Sequence, residues 1–226
     1  KTFILVHAGL GNFEKGKKAT LIFDGAMSHA RVYINGLEAG YWPYGYNSFY
    51  VDATPYLKAG QQNELAVRLE NYEESSRWYP GAGIYRNVHL VVTEGAHVPT
   101  WGTQITTPVV KEKFAKVHLE TQWNMPVGKK ITDYRIVTEI LNPEGKMVSS
   151  DERPGDVLEE GMFVQDFVVH TPTLWSPESP MLYKAVSKIY EGNELLDEYT
   201  TRFGIRTIEI VPDKGFFLNG KLTKFQ

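Results

Sequence analysis

The chain has 226 residues, a formal net charge of −3, 42% hydrophobic and 13% aromatic residues, and no cysteine. There is enough apolar mass for a core, which excludes global disorder, and the lack of thiols excludes disulfide scaffolds, thiolate metal sites and cysteine nucleophiles. Both charge signs are spread along the chain, so no basic field invites nucleic acid or an anionic membrane, and no apolar run approaches the ~18–20 residues of a membrane-spanning helix.

In chain order the pattern is strand after strand. Arg31-Val32-Tyr33-Ile34 alternates and runs into Asn35-Gly36, a favoured two-residue hairpin turn. Gly40 to Phe49 then carries Tyr41, Trp42, Tyr44, Tyr46 and Phe49 around Pro43 and Gly45, and these turn formers predict an irregular loop. Tyr41 and Phe49 are expected to form a small core beneath it, with Trp42, Tyr44 and Tyr46 as an exposed aromatic platform. Asp52 is expected to cap the turn that follows. From Asn63 to Leu69, Leu65, Val67 and Leu69 share one face.

Next comes Ser76-Arg77-Trp78-Tyr79-Pro80-Gly81-Ala82-Gly83-Ile84-Tyr85-Arg86-Asn87-Val88. Its glycines suit positive φ, with Pro80 fixing φ beside them, and Tyr85 to Val92 reads as a strand. Arg77, Trp78 and Tyr79 set aromatic faces beside a guanidinium, which is how proteins hold sugar hydroxyls and apolar sugar faces. A rigid aromatic turn that only packs would carry the same residues. Arg86 is expected to make a structural pair or a backbone contact.

A polar link at Thr93 to Pro99 separates residues 1–94 from residues 95–211. The first part, rich in glycine and aromatic loops, fits a jelly-roll β-sandwich. The second has roughly seven strand candidates, including Val117–Trp123, Ile136–Leu141, Phe163–Val169 and Tyr183–Tyr190, the count of an immunoglobulin-like β-sandwich. Residues 212–226 form a separate hairpin pattern around Asn219-Gly220. The fold class is therefore all-β, two sandwiches in series, because no stretch keeps a 3.6-residue apolar period.

No catalytic residue and no metal site is expected in this chain. Asn63-Glu64 and Asn193-Glu194 read as solvated turn residues, with neither burial to raise an acid's pKa nor a partner carboxylate. The histidines at 7, 29, 89, 97, 118 and 170 lack metal-ligand spacing. Gly81-Ala82-Gly83 has no third glycine at dinucleotide spacing, so no cofactor is expected. Glu159-Glu160 and Glu191 to Glu198 read as solvated loops and faces, and Asp151-Glu152 lacks a calcium-loop pattern.

Several of these motifs together resemble glycoside hydrolase family 2, the β-galactosidases, β-glucuronidases and β-mannosidases. They are the Ser76 to Val88 string, the Gly-Tyr-rich loop followed by Phe49 to Asp52 and Leu57-Lys58-Ala59-Gly60, Leu174 to Tyr183, Arg202-Phe203-Gly204-Ile205-Arg206, and Asp213 to Lys221. The resemblance runs along essentially the whole chain in family order. It implies most of an N-terminal sugar-binding domain, a complete immunoglobulin-like domain, and the entry hairpin of a (β/α)₈ barrel that needs ~250 residues. The two catalytic glutamates of the family lie on that barrel, so this piece is expected to be inactive alone.

The same resemblance implies substrate contacts at Arg77, Trp78 and Tyr79, and at Trp42, Tyr44 and Tyr46, for a parent β-galactosidase acting on terminal β-galactosides. Where some relatives carry an aspartate the chain has Arg77, which donates where aspartate accepts. The expected partners are carbohydrate and the catalytic barrel of the same chain, with oligomerisation left open. A periplasmic or secreted location is compatible with the chain and not fixed by it. A free-standing carbohydrate-binding or adhesion module is the alternative.

Overall fold

The computed structural model describes residues 2–9, 13–72, 81–158 and 161–224. The chain divides into two compact units, Lys1–Gly95 and Ala96–Gln226. The described residues are strands joined by turns, with three 3₁₀ turns at Thr54–Tyr56, Ile131–Asp133 and Gly155–Val157.

The first unit holds β1 (Thr2–Gly9), β2 (Lys18–Phe23), β3 (Ala26–Met27), β4 (Ala30–Ile34), β5 (Leu37–Trp42), β6 (Phe49–Asp52), β7 (Glu64–Glu70), β8 (Gly83–Ile84) and β9 (Val88–Thr93). They pair antiparallel in the orders β1-β7-β4-β5 and β6-β2-β9, with a short β3-β8 pair. Alternation builds this jelly-roll sandwich. Ala30, Val32 and Ile34 of β4 and Leu65, Val67 and Leu69 of β7 are buried, and they belong to one core with Ala19, Leu21 and Phe23 of β2 and Phe49 and Val51 of β6. Phe23 and Phe49 stack with ring centroids 4.8 Å apart. Each buried valine, leucine, isoleucine or phenylalanine contributes about 1.5–3 kcal/mol, and a one-residue slip would turn the whole set to water.

The Asn35-Gly36 turn forms as its sequence demands, with φ of +51° and +81°. Asp52 caps the following turn, its Oδ1 accepting from the Thr54 N–H at 2.9 Å. Asn63, expected in a solvated turn, is instead 1% exposed. Its Oδ1 accepts from Asn35 Nδ2 and from the Lys58 N–H, and its Nδ2 donates to the carbonyls of Lys58 and Gln61. All four hydrogen-bonding positions of the carboxamide are used, so its burial leaves nothing unsatisfied.

Two further expectations change. Tyr41 is not core; it is exposed, whereas Phe49 is buried. A β-bulge at Ala39, between the pairs Val32↔Gly40 and Tyr33↔Glu38, reverses the alternation of β5. Trp42 then lies opposite buried Ala30, and Tyr41 lies opposite Arg31 on the outer face. Tyr85 to Val92 is not one strand either. β8 pairs with β3 and β9 pairs with β2, so Tyr85 to Asn87 is the crossing between two sheets.

The second unit contains β10 (Thr103–Val110), β11 (Phe114–Gln122), β12 (Tyr134–Leu141), β13 (Met147–Pro154), β14 (Met162–His170), β15 (Tyr183–Glu191), β16 (Glu194–Phe203), β17 (Ile208–Val211), β18 (Gly215–Leu218) and β19 (Lys221–Leu222). Sheets β10-β11-β14 and β13-β12-β15-β16 make the immunoglobulin-like sandwich, and β17-β18-β19 is a separate small sheet. One core cluster gathers Val117, Leu119, Ile140, Phe167, Tyr183 and Phe203; the other surrounds Trp123 with Tyr134, Ile136, Phe163 and Ile189.

Of Glu191 to Glu198, Glu191 closes β15 and Glu194 to Glu198 open β16, where Glu194 and Glu198 are exposed on a strand face, while Glu159-Glu160 lies outside the described residues. Asp151 and Glu152 sit in β13, where Asp151 Oδ2 accepts from Arg153 Nε at 2.7 Å and from Gln165 Nε2 at 3.0 Å.

His118 on β11 stands opposite Asp166 of β14, with Nδ1 2.8 Å from Asp166 Oδ1 and Nε2 3.3 Å from Glu120 Oε1. The Asp166 hydrogen bond first, and Glu120 after it, raise the imidazole pKa above 6.5, against a smaller opposing effect of burial. A folded-state pKa raised above the unfolded one adds stability that is complete below about pH 6.5 and fades as pH rises through the folded value. His118→Gln is therefore expected to lower the melting temperature more at pH 5.5 than at pH 8.5. An equal loss at both pH values would show that the imidazole charge adds nothing.

Candidate functional site

Arg77, Trp78 and Tyr79 fall within residues 73–80, outside the described residues. On the C-terminal side of that loop, Gly83 and Ile84 pair with Met27 and Ala26. Tyr85 then donates its hydroxyl to the Gly45 carbonyl at 2.7 Å, between Tyr44 and Tyr46. Two segments forty residues apart in sequence are thus tied together. Two glycines make this approach possible. A Cβ on Gly25 would lie 2.6 Å from Tyr85 Cζ, and one on Gly45 would lie 2.2 Å from Met27 Sδ.

The three described aromatics of the expected platform divide into two kinds. Tyr44 and Tyr46 are exposed, with ring centroids 5.5 Å apart and planes tilted by 59°. Trp42 is half-buried, stacks on Phe49 at 5.9 Å, and donates Nε1–H to Asn47 Oδ1 at 2.9 Å. It fastens the loop to the core and presents less of its ring to solvent than the tyrosines do. Arg86 places its guanidinium 5.4 Å from the centroid of the Tyr85 ring, a stacking contact within the crossing segment.

On the N-terminal side of the loop stands a cluster that strand periodicity alone does not single out. Arg31 lies opposite both Tyr41 and Arg68 on the outer face of the β1-β7-β4-β5 sheet. Its guanidinium sits 4.7 Å from the Tyr41 centroid and 2.8 Å from Glu38 Oε1. His29 Nδ1 is 2.8 Å from Tyr41 Oη, and the His29 ring meets Tyr72 edge-on at 4.7 Å. Tyr72 donates to Glu70, which also faces Arg68. The Tyr72 hydroxyl, with Arg68 adding to it, holds the Glu70 carboxyl below its usual range, and Glu70 in turn raises the Tyr72 phenol. Only the register of β4 against β5 and β7 brings these residues together.

Chemically, this end of the unit offers tyrosine rings, phenolic hydroxyls and guanidinium–carboxylate pairs, groups that suit a polyhydroxylated ligand. Glu64 and Glu194 are exposed at the first positions of β7 and β16. In the second unit, burial pushes the Asp197 carboxyl above its usual range, and it accepts the Val98 N–H at 2.8 Å. That contact ties β16 to the chain entering the unit.

Two family profiles match the chain in tandem. Residues 5–94 match the sugar binding domain of glycosyl hydrolases family 2, and residues 96–206 match the profile described as glycosyl hydrolases family 2. The chain is 42% identical over 216 residues to β-galactosidase BoGH2A of Bacteroides ovatus, covering 93% of this chain and 25% of that protein. It is 35% identical over 227 residues to a putative β-glucuronidase of Formosa agariphila, covering 100% of this chain and 21% of that protein. Among solved structures, a family 2 member from Bacteroides cellulosilyticus superposes with a TM-score of 0.84 at 32% identity, over 97% of this chain and 28% of that one. The chain thus spans about a quarter of the length of the relatives it matches. With matching profiles in order along both units and the same fold in solved members, this chain belongs to glycosyl hydrolases family 2.

Proposed function

We propose that the chain is the non-catalytic N-terminal portion of a retaining β-glycosidase, a β-galactosidase that hydrolyses terminal β-D-galactosides. The observation that carries this reading is the 42% identity to a β-galactosidase across nearly the whole chain. Retaining glycosidases use two carboxyl groups about 5–5.5 Å apart, one as nucleophile and one as acid/base. In this reading both lie in the polypeptide that follows Gln226. The first unit shapes the rim of the sugar site through Arg77, Trp78, Tyr79, Tyr44 and Tyr46, with Trp42 holding the loop in place. In this reading the catalytic domain comes after the second unit. A β-glucuronidase is the second reading, supported by the relative at 35% identity that covers the entire chain.

The test compares the 226-residue chain with the intact protein on chromogenic β-galactoside, β-glucuronide and β-mannoside. The intact protein is expected to turn over the galactoside fastest, and the 226-residue chain none of the three. Preference for the glucuronide would select the second reading. Turnover by the short chain, abolished by a Glu→Gln change within it, would overturn the assignment of catalysis to the following polypeptide.

A further inference from the structure

The core of the second unit is apolar at both ends and polar across its middle. In the β13-β12-β15-β16 sheet, Asp151, Thr138, Ser187 and Tyr199 are successive cross-strand partners, so one row of polar side chains crosses all four strands. The other sheet contributes Thr121, between Leu119 and Trp123 on the inner face of β11, and Gln165, between Phe163 and Phe167 on that of β14. On one side of this belt lies the cluster of Leu119, Ile140 and Phe167, and on the other the cluster of Trp123, Ile136 and Phe163. Thr121, Thr138 and Gln165 are 0% exposed and Ser187 is 1% exposed, so bulk water reaches none of them.

The hydrogen bonds inside the belt leave several groups over. Gln165 Nε2 donates to the Asp151 carbonyl at 3.2 Å and to Asp151 Oδ2 at 3.0 Å, which fixes the carboxamide with its nitrogen toward β13. Its Oε1 has no donor among the described residues, and Thr121 Oγ1 has no partner among them either. Thr138 Oγ1 and Ser187 Oγ lie 3.0 Å apart; one hydroxyl proton makes that bond and the second is left to donate elsewhere. A buried acceptor on Gln165, a buried hydroxyl on Thr121 and a hydroxyl proton on the facing sheet therefore all call for a partner. Leaving such groups unpaired is as costly as losing a hydrogen bond outright.

These groups do not close on one another directly. Thr121 stands opposite Phe163, and Gln165 opposite Leu119, so the two are diagonal neighbours, roughly 7–8 Å apart in such a ladder. Packed sheets stand about 10 Å apart, and the threonine and serine side chains here fill that gap less than the leucine and phenylalanine on either side. The charge in the belt belongs to Asp151, which Arg153 Nε already meets at 2.7 Å, so the partner called for is neutral. It must be small, and it must both donate and accept.

We infer that the polar belt binds a water molecule inside the second unit. The water donates to Gln165 Oε1, shares a hydrogen bond with Thr121 Oγ1 and accepts the second proton of the Thr138–Ser187 pair. Three partners is the usual complement of an internal water. These bonds run from β11 and β14 to β12 and β15, so they tie the two sheets together where apolar contact, which has no direction, gives way.

Two measurements test it. In a crystal structure of the protein that orders internal solvent, a water is expected within about 2.7–3.2 Å of both Thr121 Oγ1 and Gln165 Oε1. In solution, water magnetic relaxation dispersion counts the molecules held inside far longer than those on the surface. Thr121→Val combined with Thr138→Val keeps the shape of both side chains and removes a hydroxyl from each sheet, and it is expected to lower that count by one. Thr121→Ser, which keeps the hydroxyl, is expected to leave the count unchanged. Thr121 Oγ1 and Gln165 Oε1 bonded in the crystal to protein groups alone would overturn the inference. So would an unchanged count in a double variant that keeps the native circular dichroism spectrum. Should the double variant fail to fold, the crystal structure of the unaltered protein still decides. Neither measurement involves turnover, so the result is independent of the proposed activity.

Discussion

Trp123→Ala is expected to cost the second unit about 3–5 kcal/mol, the range for removing a buried tryptophan. Trp123 is 2% exposed and meets Tyr134 edge-on, ring centroids 5.5 Å apart, in a cluster with Ala96, Val98, Ile136, Leu158, Phe163 and Ile189. These residues come from the chain entering the unit and from both sheets of the sandwich, so the indole is packed from several elements at once. Little can collapse into the space it leaves, because the neighbouring strands are fixed by their ladders. Domains are stable by only about 5–15 kcal/mol, so the loss is a large fraction of the total. Urea unfolding is expected to show a lower midpoint at an unchanged slope, and Trp123→Phe is expected to restore more than half of the difference. A Trp123→Ala midpoint equal to that of the wild type would mean that this cluster does not hold the sandwich together.

The strands of the two sandwiches were legible wherever both faces obeyed one period. Ile136 and Ile140 on β12, and Phe163, Phe167 and Val169 on β14, alternate with outward residues and are buried as written. β13 and β16 were not legible because both are edge strands of the β13-β12-β15-β16 sheet. Edge strands carry charge that discourages further pairing, and Asp151, Glu152, Arg153 and the acidic start of β16 have the composition of loops for that reason. Tyr41 and Trp42 exchanged places because one extra residue, Ala39, shifts the parity of β5, and a bulge leaves no mark on composition. The burial of Asn63 is invisible in the local sequence because its partner Asn35 lies 28 residues away and only the fold brings them together. Of the irregular loop expected over Gly40 to Phe49, only Pro43 to Ser48 follows from the proline and glycine spacing; Gly40 to Trp42 continue β5 and Phe49 opens β6. The bond from Tyr85 to Gly45 that aims this loop, and the His29–Tyr41–Tyr72 cluster beside it, depend on sheet register and could not be read from either segment alone.

In the intact protein, Arg77→Ala is expected to lower kcat/KM about tenfold, equivalent to ~1.4 kcal/mol, with little change in melting temperature. The described residues on either side of residues 73–80 are tied to the first unit. Tyr72 is held by Glu70 and His29 before them, and Tyr85 is held by Gly25 and Gly45 after them. Charge-assisted hydrogen bonds from a guanidinium to a sugar are the contacts the substitution is expected to remove. Tyr85→Phe provides the contrast. It keeps the ring and the site residues but leaves the Gly45 carbonyl without its donor, so the loop of Tyr44 and Tyr46 is expected to loosen and KM to rise more than kcat falls. Arg86→Ala removes only an exposed stacking contact on Tyr85, worth roughly 0.5–1 kcal/mol, and is expected to change kcat/KM less than Arg77→Ala does. Steady-state kinetics and thermal melting of the three variants separate these roles. Should Arg77→Ala lower the melting temperature while the folded fraction keeps its kcat/KM, the loop is a structural turn and the substrate contact lies elsewhere.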